Sequence, residues 1–505
     1  MKENYRLRKS QEKWKAKARA RSLENCDLRK KVKRLEENAL LEKINRDLEI
    51  ELLKDKIKEE LLLSSAESKK NSSASLSQKV KVLCIKLLIV GVISFRSVPK
   101  ILKIIGASVG GIQSNPHFTS VINWTLRAGI GILNNVSPIS EPWIAIIDMS
   151  NTIGTRKILV VHRVLLSELG KKGKAICLEE AEVVGIKSDS VWNGNTVKFA
   201  LTEIFLKTGA PVAILKDGGS DLKKGVRLYC EENESQNIAT IDDIGHFVAN
   251  ALKLEFENDE EFKKLIELIT KGSTKIRQTN AAWALPPKLR TKGRFQGITK
   301  LAEWAQDMLA IINGHNLEIS SGERALLLKT FSGLKELKPI VEKFILFCEV
   351  SENFLALMKN KGLNKATTIE AKSILVKLPK QSKFSQKIFG WLDKHQKIQL
   401  QIKMGRHSLL VSSDIIESLF GKFKSIIERS PSDELNKLIY IIPLLCGKRT
   451  EEEINDSLIK CSHVEMQEFI SQNIPTTLRQ KRIKLLNHAT KMEPNAGNFI
   501  EKMAA

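Results

Sequence analysis

The stretch Trp143-Ile144-Ala145-Ile146-Ile147-Asp148-Met149-Ser150 joins an unbroken apolar run to a single acidic residue. Five apolar residues precede Asp148, which is typical of a strand that is buried on both faces and delivers one carboxylate to the edge of a sheet. We therefore predict that Asp148 is the first ligand of a metal site.

A second stretch of this kind, residues 210–219, runs through Ala213-Ile214-Leu215-Lys216 into Asp217-Gly218-Gly219, where the glycines allow a sharp turn. Two such strands are expected to place Asp148 and Asp217 side by side. Residues 413–424 have the pattern of a helix, whose Glu417 is the expected third ligand. Three other acidic residues are nearby rivals that we expect to act in turns or caps: Asp221, Asp242 and Asp243.

The chain has 505 residues and a formal net charge of +24. This length predicts several domains, and the charge favours nucleic acid as the partner over an anionic membrane. The longest apolar run, residues 80–95, contains Lys81 and Lys86 and is shorter than the ~20 residues that a membrane span needs, so it predicts a buried helix.

Seven cysteines occur singly, with no CxxC pair. This spacing indicates reduced thiols rather than a zinc site. Because charged residues begin at Lys2 and no apolar signal-peptide core follows, we expect a cytoplasmic protein.

Changes in composition along the chain predict seven segments. They are 1–63, a basic arm and coiled coil; 64–78, a serine-rich linker; 79–134, a helix-turn-helix DNA-binding domain; 135–257, the first part of an α/β domain; 258–403, an all-α insertion; 404–430, a helix that completes the α/β domain; and 431–505, a helical tail.

The coiled coil is predicted from apolar residues at heptad-like spacing on a Lys/Glu-rich background, including Leu28, Val32 and Leu35. A coiled coil implies a homodimer or higher oligomer. The alternative is one long helix that folds back on its own domain.

The helix-turn-helix is predicted at residues 94–106 and 116–132, where two helix-length stretches flank a glycine-bearing connection. Ser120, Asn123 and Arg127 share the polar face of the second helix and are the expected DNA contacts. Packing alone is the alternative role for this unit.

The central residues predict the order strand, strand, strand, helix, strand, helix, strand, which is the order of the RNase H-like fold with its mixed sheet. Within the insertion, a basic patch next to Trp283 and Phe295 suits a DNA backbone and an unstacked base; a solvated loop beside core aromatics is an equal alternative. The basic residues of this patch are Lys288, Arg290, Lys292 and Arg294.

Three carboxylates from separate elements suit two Mg²⁺ ions, with Mn²⁺ as a substitute, and phosphodiester chemistry. Lys424 lies seven residues after Glu417, which is two helical turns along the same face, and is expected to meet a DNA phosphate.

These residues resemble a known family, the DDE transposases of bacterial insertion sequences. The resemblance lies in four motifs: Ile-Ile-Asp148-Met-Ser, Leu-Lys-Asp217-Gly-Gly-Ser-Asp, Ile-Asp-Asp-Ile-Gly-His-Phe and Ile-Ile-Glu417-Ser-Leu-Phe-Gly-Lys-Phe-Lys. It implies an RNase H-like catalytic domain, metal ligation by Asp148, Asp217 and Glu417, and strand transfer at terminal inverted repeats into target DNA. It also implies a bacterial protein that joins the nucleoid when bound to DNA. The Tyr-Arg-Glu-Lys signature of one large group is missing, which leaves Glu428 as a rival to Glu417.

Two other functions stay open from the sequence. One is a non-catalytic, basic coiled-coil protein that binds DNA and uses the α/β domain as a scaffold. The other is an RNase H-like nuclease or resolvase that cuts without joining. The helix-turn-helix and the large insertion favour transposition, because recognising DNA ends needs extra surface.

Overall fold

The structure is a computed structural model that describes residues 77–109, 115–153, 156–168, 175–288, 298–314, 319–403, 407–427 and 436–474, with residues 295, 476, 481–483 and 485–486. The basic arm and the coiled coil predicted at residues 1–63 lie outside this range.

A five-stranded mixed sheet forms the centre of the α/β domain, with strand order β3-β2-β1-β4-β5. The strands are β1 (Trp143–Ile153), β2 (Arg156–Leu165), β3 (Glu182–Asp189), β4 (Ala213–Lys216) and β5 (Ala239–Asp242). β1, β2 and β3 pair antiparallel, whereas β1 pairs with β4 and β4 with β5 in parallel. This is the RNase H-like arrangement that the element order predicts.

Helices flank the sheet and fill the insertion. In chain order they are α1 (Gln78–Gly91), α2 (Ser97–Val109), α3 (Phe118–Asn134), α4 (Gly194–Thr208), α5 (Ser220–Glu232), α6 (Ile244–Phe256), α7 (Glu260–Ile276), α8 (Thr299–Ile312), α9 (Ser321–Phe331), α10 (Lys338–Lys361), α11 (Lys365–Leu375), α12 (Lys383–Gln401), α13 (Asp414–Ile427), α14 (Glu451–Ile459) and α15 (His463–Asn473).

The insertion from α7 to α12 is helical in its described residues, apart from an isolated bridge between Leu363 and Leu409. The predicted all-α insertion is therefore confirmed. No helix among the described residues is long and apolar enough to cross a membrane.

Helices α4 and α5 cover one face of the sheet. Their apolar side chains, including Leu201 and Phe205, share a buried cluster with Ala145 and Ile147 of β1. Because side chains alternate along a strand, Asp148 points to the opposite face from Ile147. That face is contacted by α13.

The position predicted for the third strand was wrong. An extended segment was expected at residues 174–185, but a 3₁₀ turn forms at Leu178–Glu180 and β3 begins only at Glu182. The turn closes because the carboxylate of Glu180 accepts a hydrogen bond of 2.8 Å from the backbone N–H of Cys177.

The chain divides into two compact units, residues 1–77 with 96–118 and residues 78–95 with 119–505. In the first unit, the guanidinium of Arg96 lies 5.3 Å from the centroid of the Phe118 ring. Apart from Phe118, α3 belongs to the second unit and α2 to the first. The helix-turn-helix therefore stays a prediction.

In the second unit, α3 packs closely on the C-terminal segments through its glycines. A Cβ added at Gly129 would lie 1.8 Å from the carbonyl oxygen of Tyr440, and one added at Gly131 would lie 2.2 Å from that of Ser457. Both neighbours are backbone atoms, so a side chain at either position would push two elements apart.

We predict that Gly129→Ala lowers the free energy of unfolding by about 2–4 kcal/mol, because steric overlap outweighs the roughly 1 kcal/mol that alanine gains in a helix. Urea unfolding followed by circular dichroism measures this. Gly322→Ala is the matched control, since no atom lies within 4 Å of an added Cβ there. Equal stability of the two variants would contradict the packing described for α3.

Candidate active site

The parallel pairing of β1 with β4 brings the two predicted aspartates together. In its register Ile146 stands opposite Leu215 and Ile147 opposite Lys216. Asp148 is the next residue of β1, which continues to Ile153 in its pairing with β2, and Asp217 is the residue that directly follows the end of β4. The sequence prediction that they lie side by side is consistent with this register.

Each aspartate is oriented by a hydrogen bond from nearby backbone. Oδ1 of Asp148 accepts from the N–H of Met149 at 2.7 Å, and Oδ1 of Asp217 accepts from the N–H of Gly219 at 2.8 Å. Both carboxylates are half-buried. Asp217 is thus held in the turn that leads into α5.

Glu417 lies in the first turn of α13, where its side chain is exposed. Its neighbours Ile415, Ile416 and Leu419 are buried and hold the helix against the protein. A long exposed glutamate on a fixed helix keeps freedom to change rotamer. The rival Glu428 lies outside the described residues.

Electrostatics shows that the three carboxylates share one neighbourhood. The pKa of Asp148 is raised to about 7, mainly by burial and also by the charges of Asp217 and Glu417, while the Met149 hydrogen bond and His246 act in the opposite direction. The site therefore disfavours a full set of ionised carboxylates unless positive charge is brought to it.

The start of α13 is tied to the start of α6 by one buried carboxylate, Asp243. Its Oδ1 accepts from the N–H of His246 at 2.8 Å, and its Oδ2 accepts from the N–H of Ser413 at 2.7 Å and the hydroxyl of Ser413 at 2.9 Å. The N–H of Asp243 also donates to the carbonyl of Lys216 at 2.9 Å. Asp243 thus connects β4, α6 and α13 around the two aspartates, beyond the capping role that the sequence predicts.

Asp242 is occupied by two lysines. It accepts from Lys216 and from Lys394, each at 2.6 Å. Burial opposes ionisation, but these hydrogen bonds and charges outweigh it and lower the pKa of Asp242 to about 2. Asp242 is therefore an ion-pair residue. Asp221 lies in the first turn of α5.

A cavity of about 540 Å³ opens beside Glu417, between α6, α10 and α13. Three lysines line it: Lys288, Lys300 and Lys359. The ammonium of Lys359 lies 2.6 Å from the carboxylate of Asp414, the first residue of α13. Lys288 of the predicted basic patch therefore shares a cavity with Glu417.

The other residues of the basic patch and its two aromatic neighbours do not share one environment. Arg290, Lys292 and Arg294 lie outside the described residues. Phe295 is buried and stacks on Phe262 at a centroid distance of 6.1 Å, which makes it a core aromatic. Trp283 is exposed, and its indole N–H donates to Glu323 at 3.1 Å. Phe295 also borders the cavity that Glu417 lines.

The three residues predicted on the DNA-facing side of α3 are all half-buried. The guanidinium of Arg127 donates two hydrogen bonds of 2.7 Å, to the carbonyls of Leu458 and Cys461. Arg127 therefore binds the carbonyls at the end of α14. Ser120, Asn123 and Arg127 stay predictions as DNA contacts, and so does half-buried Lys424 on α13.

Sequence reasoning missed two residues of this site, His246 and Lys359. His246 lines the cavity with Glu417, and its charge acts on Asp148. His246 could have been found from the sequence, because it lies three residues after the N-cap Asp243 and therefore in the first turn of α6. Lys359 carries no such signal, because only the tertiary fold brings α10 to α13.

The donor chemistry of the three carboxylates fits Mg²⁺, which prefers oxygen ligands and keeps several of its waters. Among the residues that the structure describes, no three His, Cys, Asp or Glu side chains stand at the spacing of a completed metal site. Direct ligation by all three would therefore need the side chain of Glu417 to turn toward the aspartates.

Comparison with known proteins finds similarity among solved structures. No protein-family model matches the chain, and no curated protein sequence matches it either. Among solved structures, the Drosophila P element transposase strand transfer complex is similar at a TM-score of 0.42 and 12% identity, over 82% of this chain and 99% of that chain. At this identity and TM-score, the functional assignment rests on the residues of this chain alone.

We predict that Asp148→Asn stabilises the metal-free protein by about 1–3 kcal/mol at pH 8, because the variant removes a poorly solvated charge. The parent carboxyl binds its proton more tightly when folded than when unfolded. Parent stability should therefore fall as the pH rises from about 4 to about 7. Urea unfolding in EDTA across this pH range measures the effect. A parent and variant with parallel pH profiles would contradict the raised pKa.

Proposed function

We propose that this chain is a DNA transposase that cleaves and joins phosphodiester bonds with Asp148, Asp217 and Glu417. The observation that carries the proposal is the meeting of these carboxylates from β1, β4 and α13 in one electrostatic neighbourhood. They lie in a chain with a net charge of +24, which suits a polyanionic substrate.

Asp148, Asp217 and Glu417 would hold Mg²⁺, or Mn²⁺ in its place. When bound there, the metal supplies activation of a water or 3′-hydroxyl and stabilisation of the leaving oxygen. Asp148 and Asp217 are oriented in advance by backbone N–H groups, and Glu417 turns in from α13. His246 adds a polar side chain at the same cavity.

The face of α13 that carries Glu417 has room for a DNA backbone. Gly421 lies one turn after Glu417, is exposed, and has no atom within 4 Å of an added Cβ. Lys424 follows three residues later on the same face. A phosphate that approaches the helix closely at Gly421 would meet the ammonium of Lys424 beside the carboxylates.

Joining, as well as cutting, is part of the proposal. The helical insertion between α6 and α13 adds surface beside the carboxylates, where a second DNA segment can be held. Binding of terminal inverted repeats, an origin in a bacterial insertion sequence and assembly as a dimer or higher oligomer complete the proposal, on the basis of the sequence motifs and the predicted coiled coil.

We predict that Asp148→Asn, Asp217→Asn and Glu417→Gln each lower metal-dependent cleavage by on the order of 10³-fold, because each removes a ligand used in the transition state. The substrate is a labelled fragment that carries the inverted repeats flanking the gene. DNA affinity should stay within about two-fold of the parent, because the charges removed do not contact phosphate directly.

Two variants sharpen this test. Asp221 is an acidic residue near Asp217 with an expected role in a turn. The variant Asp221→Asn should therefore cleave DNA at the rate of the parent. Glu428→Gln tests the rival third ligand. DNA binding without cleavage by the parent in Mg²⁺ and Mn²⁺ would favour the scaffold function, and cutting without joined products would favour a nuclease.

We also predict that millimolar Mg²⁺ or Mn²⁺ raises the unfolding temperature of the parent by about 1–3 °C, because the ions bind the folded state alone. The double variant Asp148→Asn/Asp217→Asn should show no shift, whereas Asp221→Asn should shift like the parent. Differential scanning calorimetry measures all three proteins. An equal shift in the double variant would place ion binding elsewhere.

A further inference from the structure

Helix α12 presents a continuous row of exposed lysines on one face. We define the α12 stripe as Lys383, Lys387, Lys394 and Lys397, whose spacings of four, seven and three residues keep them on one side of the helix. The opposite side of α12 is buried and includes Phe384, Ile388 and Leu392. The stripe therefore faces away from the core.

The stripe surrounds a glycine that has no packing role in the described structure. Gly390 lies in the interior of α12 between Lys387 and Lys394, and no atom lies within 4 Å of an added Cβ. By contrast, an added Cβ at Gly272 of α7 would lie 2.1 Å from the ring of Phe331, so a tertiary contact explains that glycine. Glycine is a poor helix former, and its presence at an open position suits a partner that approaches the backbone closely.

A cavity of about 450 Å³ lies along the stripe, between α12 and α6. Lys383, Lys387 and Lys394 line it together with the aromatic side chains of Phe247 and Trp391. Cationic groups beside aromatic side chains are typical of surfaces that bind the sugar-phosphate backbone of nucleic acid.

Most of the positive charge of the stripe is available to a partner. Lys394 shares Asp242 with Lys216, whereas Lys383, Lys387 and Lys397 form no ion pair with any acidic side chain of the described residues. Asp393 lies one helical turn before Lys397 and so places an acidic side chain beside the stripe; its exposed carboxylate lies 3.9 Å from Lys372.

The stripe is also connected to the candidate active site. Lys394 and Lys216 bind opposite oxygens of Asp242 at 2.6 Å each, and Asp217 directly follows Lys216 in the chain. Lys394 of the stripe is therefore fixed to the end of β5, beside the β4 residue that precedes Asp217.

We propose that the α12 stripe binds the phosphate backbone of duplex DNA and guides it toward Asp148 and Asp217. This inference rests on the proposed function for the identity of the polyanion. Gly390 lets the backbone approach α12, and the lysines on either side of it neutralise successive phosphates.

The test is DNA binding by the full-length chain, measured by fluorescence anisotropy with a random 40-base-pair duplex over a series of salt concentrations. The triple variant Lys383→Gln/Lys387→Gln/Lys397→Gln should bind about ten-fold more weakly, and the slope of log affinity against log salt should fall by about 2–3, because each lysine lost releases about one fewer counterion.

The matched control is Lys264→Gln/Lys275→Gln/Lys335→Gln, which removes the same charge from exposed positions outside α12. Its affinity should stay within about two-fold of the parent, since only long-range attraction is lost. An equal loss of affinity in both triple variants, or in neither, would overturn the proposal.

Gly390→Ala separates a contact from a folding defect. Alanine should raise the unfolding temperature by about 1–2 °C, because it is the better helix former at an open position. It should nevertheless weaken DNA binding about three-fold, which corresponds to the loss of one close phosphate contact. Unchanged binding by Gly390→Ala would remove the role given to this glycine.

The outcomes separate the α12 stripe from the proposed catalytic function. If the parent binds the duplex through the stripe but never cleaves element ends, the catalytic function fails and the DNA surface stands. If it cleaves while the α12 variant binds normally, only the surface fails. If polyglutamate displaces the parent as effectively as competitor duplex does, the stripe is a general anion surface and the proposal is overturned.

Discussion

The structure depends on the parallel pairing of two strands that have no solvent-facing side. Residues 144–147 of β1 are fully buried, so their register against β4 is fixed by packing on both faces of the sheet. A slip of one residue would turn Asp148 toward α4 and α5, because side chains alternate along a strand. The same burial that fixes the register also removes water from Asp148. Burying a carboxylate in this way is energetically unfavourable, and proteins retain such unfavourable groups mainly at functional sites.

Two of the lysines near the carboxylates are engaged by other acids. Lys216 is bound by Asp242, and Lys359 is bound by Asp414. These ion pairs engage two ammonium groups near the site, and the pKa of Asp148 stays high. A protein rich in lysine therefore keeps a small region in which negative charge is under-compensated, and this region is suited to a divalent cation.

Local sequence patterns predicted the secondary-structure elements that carry the three carboxylates. The apolar runs before Asp148 and Asp217 gave the strands, and the helix pattern around Glu417 gave α13. Features set by distant parts of the chain were not predictable in this way. The role of Arg127 depends on carbonyls more than 300 positions away, and the link from Asp243 to Ser413 spans 170 positions. Phe295 looked equally suited to a base or to the core, because its environment depends on its stacking with Phe262 of α7.

The bond between Asp243 and Ser413 also bears on how this chain tolerates change. Together with the hydrogen bond from the N–H of Ile244 to the carbonyl of Val411, it joins the two ends of the helical insertion, which therefore enter and leave the α/β domain side by side. The entropy of closing a loop grows only with the logarithm of its length, and doubling the length costs about 0.6 kcal/mol. Over evolutionary time, the length of the insertion can therefore change at little cost in stability while the α/β domain keeps its geometry.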